Sequence, residues 1–430
     1  MGTPYFISAL RNEADGGNFY RYFANAKDGE AATLSYSFLT STPAGTPNYY
    51  GDPSASFSAL TDGQKALVRQ AFDKYEAVAN VKFTQTDGTA DIRFGTFDMN
   101  GNTAGYADYP QYVYSTGQLS HGSNFGEVWY DTASLTDNNI YLAMHEHPFD
   151  TSLNPQHPHK LPDAEDNSDY TVMSYTPGNN SPITELQIYD VIALQSIYGP
   201  ARQRLSDDTY VFGKDKLIWD GGGNDTITAS KAADDVAIDL NDGSWNYVGG
   251  KATLFSDDSN GMQVYLGNFT RIENLTGSGF DDKLTGNELA NTIKAGRGDD
   301  QIAGGNGRDS MTGGGGADKL SGGKGADSFI FLSNGDSTVG AGSRDTIADF
   351  SHAQHDKLGL NAIDANGNTK VDNAFTFIGD DAFSKHAGEL RFEASGANTL
   401  VSADTDGNGK ADFAFLVTGD IHLVKRDLIL

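Results

Sequence analysis

The sequence predicts an α+β domain over residues 1–204, followed by an all-β domain of short parallel strands over residues 205–430. Three observations support this prediction. The length of 430 residues exceeds what one hydrophobic core usually organises, so two domains are expected. Near Arg204, a mixture of helix and strand patterns gives way to glycine, aspartate and short apolar segments. Within the second part, a pattern recurs every nine residues.

Composition limits the possible partners. The chain has 58 Asp and Glu against 30 Lys and Arg, and a net charge of −28 argues against nucleic acid or an anionic membrane and favours cations. Cysteine is absent, which excludes disulfides, thiolate metal sites and cysteine nucleophiles. No apolar run is long enough for a membrane helix, so no stable membrane insertion is expected. The start, MGTPYFISAL, lacks the pattern of a secretory signal, so export would need another route.

The first domain alternates helix and strand patterns. Apolar residues recur at a helical period over residues 61–80, and Thr61 is a suitable N-cap. Residues 81–84 and 92–97 alternate apolar and polar side chains around an Asp-Gly turn, which is typical of two half-buried strands. Two more helices are predicted, over residues 137–146 and 184–198.

The nine-residue repeat carries an acidic or amide residue at one position and an apolar residue two positions later. The first position is occupied by Asp282, Asn291, Asp300, Asp309, Asp318 and Asp327. The second is occupied by Leu284, Ile293, Ile302, Met311, Leu320 and Phe329. An isolated earlier copy, DGGGNDTIT, contains Asp225. Copies such as GGNGRDSMT and GGKGADSFI fit the calcium-binding nonapeptide of RTX proteins.

This repeat predicts a calcium-binding parallel β-roll over about residues 277–330. Its glycines allow the positive φ of tight turns whose carbonyls point inward, and the acidic residues add the oxygen ligands that calcium prefers. The apolar residue heads a short strand and faces the interior, so each copy forms half a coil. A flexible Gly/Asp-rich linker would not keep the apolar position in register. We therefore expect several calcium ions, with Asp225 and the six acidic or amide positions of the repeat as ligands.

A further acidic segment, DTDGNGKAD, resembles an EF-hand-type loop, because Asp404, Asp406, Asn408 and Asp412 place oxygen ligands on alternate residues. A solvated acidic turn explains the same residues equally well. The sequence leaves both interpretations open.

Four of the nine histidines lie within fifteen residues, at His145, His147, His157 and His159. Together with the MSY sequence that begins at Met173, they resemble the zinc site of the metzincin proteases, and among them the serralysin family. There, a helical HExxHxxGxxH sequence supplies three ligands and the general base, and a Met-turn lies beneath the metal. The resemblance covers nearly the whole chain, through segments such as TLSYSFLTS, GEVWYD, LQIYDVIALQSIYG and DTIADF. It makes the first domain metzincin-like and the second an RTX β-roll.

The zinc motif departs from the family pattern. In HExxH, two histidines four residues apart share one helix face and reach one ion, but Phe149 stands four residues after His145. His157 lies two residues later than the usual third ligand. Pro148 would remove a helical hydrogen bond at a cost of about 3 kcal/mol, so the helix is expected to end near His147.

The resemblance implies ligands for the remaining positions. His145 matches the first zinc ligand and His157 the third. The second ligand has no counterpart, and His147 or His159 could replace it. A lone histidine at a helix end is, however, usually a cap or a surface residue, and this alternative applies to both His147 and His159, which stand beside prolines.

Two functions remain open. The resemblance implies a secreted zinc endopeptidase of serralysin type with one zinc ion, in which Glu146 is the general base, Met173 lies in the Met-turn and Tyr175 can approach the metal. Its substrates would be proteins or peptides. The alternative is a catalytically inactive relative that acts as a calcium-folded extracellular binding or structural protein, because two ligands make a poor zinc site.

The resemblance also implies where the protein acts. The apolar tail RDLIL, residues 426–430, resembles the uncleaved C-terminal signal of type I secretion, so we expect an extracellular monomer exported by a bacterial type I secretion machinery. A substrate strand is expected to pair with a sheet edge near residues 124–130. Calcium is scarce inside a bacterium and abundant outside, so the β-roll should fold on arrival.

Overall fold

The computed structural model divides the chain into two compact units, Met1–Gln203 and Arg204–Leu430. It describes residues 31–46, 48–101, 103–107, 111–113, 118–120, 126–136, 140–145, 161, 164–174, 176–179, 182–201, 205–250, 263–367 and 373–430. For residues 111–113, 118–120 and 145, only the backbone is described.

The first unit contains helices and strands in alternation among its described residues. The helices are α1 (Pro53–Ser56), α2 (Asp62–Val78), α3 (Ile140–His145) and α4 (Ile188–Tyr198). The strands are β1 (Ala32–Phe38), β2 (Val81–Gln85), β3 (Ile92–Phe97), β4 (Gly105–Ala107), β5 (Gln111–Val113), β6 (Gln118–Ser120) and β7 (Glu127–Asp131). The α+β class predicted for this part of the chain is therefore confirmed.

The three predicted helices of this unit are confirmed, with one shifted start. Thr61 is the N-cap of α2, because its hydroxyl accepts the N–H of Gln64 at 3.2 Å while the Gln64 side chain accepts the N–H of Thr61 at 2.9 Å. The last helix begins at Ile188 rather than at residue 184. There the carboxylate of Asp190 accepts the N–H of Gln187 at 2.9 Å, which fixes the first turn at that point.

Five strands form one sheet in the order β2-β1-β3-β7-β4. The first four run parallel, and β4 is antiparallel to β7. Strand β7 therefore pairs on both sides, and β4 is the outermost described strand at that end of the sheet. The prediction of a sheet edge near residues 124–130 is therefore wrong, because β7 is paired with β4 on the side that was expected to be open. Strand β4 was not predicted, because three residues are too few to show an alternation of apolar and polar side chains in the sequence.

The sheet carries an apolar core on each face, because successive side chains of a strand point to opposite sides. Tyr130 belongs to the core formed with the helices α2 and α3. Trp129 belongs to the opposite core, together with Phe97 and Met99. Gly95 makes room for the indole of Trp129, since a Cβ at Gly95 would lie 2.5 Å from that ring.

Apart from two short 3-10 helices, Ala341–Ser343 and Lys425–Asp427, the regular secondary structure described in the second unit is all strand. Its strands are β8 (Thr209–Val211), β9 (Leu217–Ile218), β10 (Thr226–Thr228), β11 (Val236–Asp239), β12 (Trp245–Val248), β13 (Gln263–Leu266), β14 (Asn274–Thr276), β15 (Lys283–Thr285), β16 (Thr292–Arg297), β17 (Gln301–Asn306), β18 (Ser310–Gly315), β19 (Lys319–Lys324), β20 (Ser328–Ile330), β21 (Thr346–Ile347), β22 (Lys357–Gly359), β23 (Thr376–Phe377), β24 (Glu389–Ser395), β25 (Asn398–Asp404), β26 (Phe413–Val417) and β27 (Leu428–Ile429).

Consecutive strands of the repeat alternate between two sheets. One sheet has the order β27-β22-β20-β18-β16-β14-β10-β8, and its described pairings are all parallel. The other has the order β23-β24-β25-β26-β21-β19-β17-β15-β11-β12-β13-β9 and is parallel through its centre. Ile293 pairs with Met311 and Ile302 with Leu320, so one coil takes two nonapeptides.

The apolar positions of the repeat are buried in a single core shared by the two sheets, with exposed fractions of 0–3%. The predicted parallel β-roll is therefore confirmed, including the inward direction of its apolar residues. The tail strand β27 is part of the fold and pairs with β22. Among the described residues, no helix is both long and apolar enough to cross a membrane.

Candidate metal centres

The acidic and amide positions of the repeat form two columns inside the β-roll. One column holds Asp282, Asp300 and Asp318, and the other holds Asn291, Asp309 and Asp327. Within each column, the backbone N–H of one residue donates to Oδ1 of the residue 18 positions later, at 2.8–2.9 Å. All six residues are buried. The repeat therefore lines up side chains from different coils and keeps them away from solvent.

One oxygen of most of these carboxylates has no partner. The Oδ2 atoms of Asp300, Asp309, Asp318 and Asp327 are buried and accept no hydrogen bond from the described residues, and the same holds for Asp225. Leaving a buried polar atom without a partner costs about 1–3 kcal/mol, and more when the group is charged. Oxygen atoms placed in this way are suited to a hard cation, and calcium prefers oxygen ligands.

Glycines hold open the space into which these oxygens point. A Cβ added to Gly304 would lie 2.4 Å from Oδ2 of Asp309 and 2.7 Å from the carbonyl oxygen of Gly322. A Cβ added to Gly322 would lie 2.4 Å from Oδ2 of Asp327. Carboxylate oxygens, and at Gly304 a backbone carbonyl, thus converge on space that any larger residue would fill. This set of donors fits calcium, which takes both kinds of oxygen.

The first residue of each column differs from the others. Asp282 accepts hydrogen bonds from the N–H and hydroxyl of Ser278 and from the N–H of Val236, so both of its carboxylate oxygens are used. Asn291 accepts the N–H of Asn287 at 2.8 Å, and its side-chain amide donates to two backbone carbonyls. Asp282 and Asn291 therefore lie in the columns as predicted, but their polar side-chain atoms are already hydrogen-bonded to other groups of the protein.

Burial changes the acidity of the columns. It raises the pKa of Asp300 to about 8 and the pKa values of Asp309 and Asp318 to about 6, and neighbouring carboxylates add to the effect. Without a cation, the ionised form of each side chain is thus unfavourable in the folded domain. A bound cation would remove this penalty by pairing with the charge.

Two further carboxylates belong to the columns but do not follow the nine-residue spacing, so they were not predicted from the sequence. Asp345 accepts the N–H of Asp318, and Asp356 accepts the N–H of Asp327, each at 3.0 Å. They follow 27 and 29 residues later instead of 18, because loops are inserted after the last regular coils. The signal that could have found them is the apolar residue two positions on, Ile347 after Asp345 and Leu358 after Asp356.

Asp225 lies in a separate acidic cluster near the start of the second unit. One ligand atom from each of Asp208, Asp220 and Asp225 lies within 4.8 Å of the others. Oδ1 of Asp225 accepts the N–H of Asp208 at 2.8 Å, and the hydroxyl of Tyr210 donates to Asp220. Burial raises the pKa of Asp225 to about 6. Sequence reasoning identified Asp225 through the repeat and missed the two other carboxylates, although Asp220 opens the same DGGGNDTIT segment.

The EF-hand-type segment forms a compact loop between β25 and β26. Carboxylate oxygens of Asp404, Asp406 and Asp412 lie within 4.8 Å of one another. Both oxygens of Asp404 accept backbone N–H groups of the loop, from Gly407 and Gly409, at 2.7 Å each. These bonds suit an acidic turn as well as a cation site, so the two interpretations of this segment remain open.

The predicted zinc residues lie at the border of the described chain. Helix α3 is described as far as His145, whose side chain is outside the described residues, as are Glu146, His147, His157, His159 and Tyr175. The described parts around them, α3 and the segment that holds Met173, share one apolar core.

Several hydrogen bonds connect α3 and the Met173 segment to the rest of the unit. The hydroxyl of Tyr75 in α2 donates to the carbonyl of Met144 in α3 at 2.9 Å, and the hydroxyl of Tyr141 donates to the carbonyl of Ser174 at 2.9 Å. Met173 is buried with an exposed fraction of 8%. The helix and the segment predicted to face one zinc ion are thus held together.

Asp190 of α4 also holds this segment. Its buried carboxylate accepts the hydroxyl of Thr171 and, at 2.9 Å, the N–H of Val172. Burial raises the pKa of Asp190 to about 6. Sequence reasoning missed this residue, because its spacing from Thr171 follows neither a helix nor a repeat.

The family model of the peptidase M10 serralysin C-terminal domain matches residues 205–430. The chain is 34% identical to Metalloprotease AprA of Pseudomonas entomophila, an alignment that covers 91% of this chain and 84% of that protein. It is 34% identical to Serralysin of Proteus mirabilis, with 92% and 87% covered. It is 32% identical to Serralysin of Photorhabdus laumondii, with 62% and 61% covered.

These similarities extend through both compact units. The family model spans more than half of the chain, and two of the relatives align over nearly all of it. They agree with the confirmed fold, an α+β unit followed by a parallel β-roll. The chain therefore belongs to the serralysin family of metalloproteases.

Proposed function

We propose that this chain is an extracellular zinc metalloendopeptidase whose second domain is stabilised by several calcium ions. The observation that carries the protease assignment is the 34% identity to a metalloprotease over 91% of the chain. Its substrates would be proteins or peptides. By the same resemblance, the chain would be exported by a type I secretion machinery and act as a monomer.

The calcium part of the proposal rests on the buried carboxylates of the β-roll. Asp300, Asp309, Asp318 and Asp327 each have one buried oxygen without a hydrogen-bond partner among the described residues, and Asp225 has another. These five side chains would act as calcium ligands, together with carbonyl oxygens of the glycine turns. Asp282 and Asn291, whose polar atoms are already paired, would contribute less to calcium binding and more to holding the first coil.

The zinc part of the proposal rests on the sequence. His145 and His157 would bind one zinc ion, with His147 or His159 as the third nitrogen ligand. The ion would supply a Lewis acid for peptide hydrolysis. Glu146 would take a proton from the attacking water and return it to the leaving amine. Tyr175 would lie near the substrate carbonyl, and Met173 would lie below the ligands.

The open strand β4 offers a place for the substrate backbone. Extended peptides bind to sheet edges through main-chain hydrogen bonds, and pockets for alternate side chains add specificity. β4 is the outermost described strand of the sheet. Its neighbour β7 comes directly before α3 in the order of elements along the chain, and α3 carries His145. A peptide paired with β4 would therefore lie along the same unit that holds the proposed zinc ligands.

Metal analysis of the purified protein tests the zinc proposal. We expect one zinc per chain in the wild type and little in the His145→Ala variant. Comparing His147→Ala with His159→Ala identifies the third ligand, because the true ligand variant should lose zinc and the other should keep it. Wild-type protein without zinc at unit stoichiometry would contradict the proposal.

A further inference from the structure

Three tyrosines, two of them exposed and one partly buried, form an aromatic surface at β4, the outermost described strand of the first unit's sheet. Tyr49 and Tyr50 precede α1, and Tyr106 lies in the middle of β4. We propose that these three side chains, here called the aromatic shelf, receive one aromatic or large aliphatic side chain of a peptide that binds along β4. This inference rests on the proposed function and specifies which substrates the protease would prefer.

The rings of Tyr49 and Tyr50 each contact the ring of Tyr106, and both are accessible to a partner. The centroid of the Tyr49 ring lies 5.9 Å from that of Tyr106 at an interplanar angle of 78°, and the Tyr50 ring lies 5.6 Å away at 49°. Exposed fractions are 65% for Tyr49 and 39% for Tyr50. Large exposed apolar groups that cluster in this way are typical of binding surfaces. Aromatic rings also add specific edge and face contacts to simple burial.

Neighbouring buried groups hold the aromatic shelf in place. The ring of Tyr106 packs against that of buried Phe97 at 6.3 Å. Gly51, directly after Tyr50, has a φ of +146°, and a Cβ there would lie 3.1 Å from the carbonyl oxygen of Asp98. Only glycine allows the chain this conformation at such a close approach. The loop that carries the two exposed tyrosines is therefore fixed against the end of β3.

On the side of β4 that faces away from β7, no other described strand pairs with the main chain. The N–H of Asp131 donates to the carbonyl of Ala104 at 2.8 Å, and Tyr106 pairs with Trp129. Hydrogen-bonded residues alternate along an antiparallel pair, so Gly105 and Ala107 direct their N–H and C=O groups away from β7. The hydroxyl of Thr103 donates to the Gly105 carbonyl at 3.0 Å, which agrees with this direction.

A peptide strand on this edge would present alternate side chains to the two faces of the sheet. The residue directly opposite Tyr106 would point to the same face as Tyr106, with a Cβ separation of about 4.5–5.5 Å. That face is the one with Trp129 and Phe97, opposite to the face that carries α3. The aromatic shelf would therefore recognise a substrate residue whose side chain points away from the zinc ligands.

Peptide hydrolysis tests this inference directly. Fluorogenic peptides of serine and alanine would carry a single Phe at each position in turn, and kcat/KM would be measured for the wild type. We expect one Phe position to be favoured over the all-small peptide. In the double variant Tyr49→Ala/Tyr50→Ala, the preference at that position should fall by about fivefold to tenfold. A Phe269→Ala variant is the matched control, because Phe269 is an exposed aromatic residue of the second unit.

Binding to an inactive variant separates this inference from the proposed function. The same peptides would be titrated into Glu146→Gln protein with and without the double substitution. Weaker binding of the favoured Phe peptide, and equal binding of the all-small peptide, would support the aromatic shelf even if the wild type cleaved no peptide. Phe-peptide affinities and cleavage preferences that are unchanged by the double substitution would overturn it, whatever the activity of the enzyme.

Discussion

Asp300 shows how one residue of the repeat serves two purposes. Its Oδ1 accepts the N–H of Asp282 at 2.8 Å and so links two coils, whereas its Oδ2 is buried without a partner among the described residues. The first contact needs only an acceptor, which an amide oxygen can supply. The second position is suited to a cation and needs the negative charge.

Substituting Asp300→Asn should therefore separate these two purposes. We expect calcium affinity to fall by at least about tenfold, because one charged ligand is lost while the acceptor for Asp282 remains. Calorimetric calcium titration measures the change. Asp299→Asn is the control, since Asp299 is the exposed neighbour and its contact with Ala317 also needs only an acceptor. Equal affinities of the two variants would contradict the assignment.

The sequence predicted the regular residues of the site better than the irregular ones. Asp309 and Asp327 were found because nine-residue spacing marks them. Asp345 and Asp356 were missed, because inserted loops break that spacing while leaving the backbone contact intact. Asn291 was included by its spacing, although its side-chain amide donates to backbone carbonyls. The nine-residue spacing therefore predicts where a residue lies in the coil. Whether its side chain has an oxygen available for a cation is seen only from its hydrogen bonds.

The turns of the β-roll depend on glycines that lie almost on top of one another. A Cβ on Gly314, whose φ is +112°, would lie 1.9 Å from the carbonyl oxygen of Gly296 in the preceding coil. No atom lies within 4 Å of a Cβ on the adjacent Gly315. Stacking of coils thus forbids a side chain at one glycine and tolerates it at the next.

This contrast gives a prediction about single turns. Gly314→Ala should lower the thermal midpoint of the calcium-loaded second domain by several degrees, because the coils must separate to admit a methyl group. Gly315→Ala should leave the midpoint nearly unchanged. Differential scanning calorimetry at saturating calcium compares the two. A loss of stability that is the same for both variants would indicate a general effect of losing glycine rather than the close coil contact.

Elements differ in how far the sequence revealed them. Helix α2 was predicted with its cap, because its apolar period and Thr61 are local signals. The β-roll was predicted because its period repeats. Strand β4 was not predicted, since its three residues gain their structure from pairing with β7, which is distant in sequence. The sheet edge was placed on the wrong strand for the same reason.

The columns of the β-roll should give the calcium-free domain an unusual pH dependence. Burial raises the folded pKa of Asp300 to about 8 and that of Asp309 to about 6, above the unfolded value of about 3.9. The folded state then holds protons that the unfolded state releases. The contribution of these two carboxyl groups to the free energy of unfolding is therefore greatest below about pH 4. It falls as the pH rises through 6 to 8.

Urea unfolding in a calcium chelator at pH 5 and at pH 8 tests this dependence. We expect the second domain to be more resistant at pH 5, and calcium at pH 8 to restore the resistance because it pairs with the ionised carboxylates. Greater stability at pH 8 than at pH 5 in the chelator would show that these side chains do not titrate as their burial implies.

At the scale of the whole molecule, calcium would decide when the second domain folds. Without a cation, neighbouring carboxylates repel and the glycine-rich chain loses much entropy on ordering. The tail strand β27 pairs with β22, so it too depends on a folded β-roll. Circular dichroism of the full chain near pH 7.5 should show a large gain of β-structure between chelator and millimolar calcium. A second domain that is already fully structured in the chelator would contradict this coupling.

The first domain carries the proposed protease site. Its α+β fold and its helix α3 were predicted and are confirmed, and the segment that holds Met173 is buried. The sequence departs from HExxH after His145, where Phe149 occupies the position of the second histidine. Membership of the serralysin family favours an active protease. We propose that His147 or His159 supplies the zinc ligand that is missing at position 149.

Casein hydrolysis by the purified full chain tests this claim most directly. The assay would be run at millimolar calcium with the wild type and with Glu146→Gln, each with and without a zinc chelator. Circular dichroism would first establish that both proteins are folded. We predict hydrolysis by the wild type that is abolished by the chelator and reduced by at least about a hundredfold in Glu146→Gln, because the general base is lost. Folded, calcium-loaded wild-type protein that does not cleave casein would contradict it.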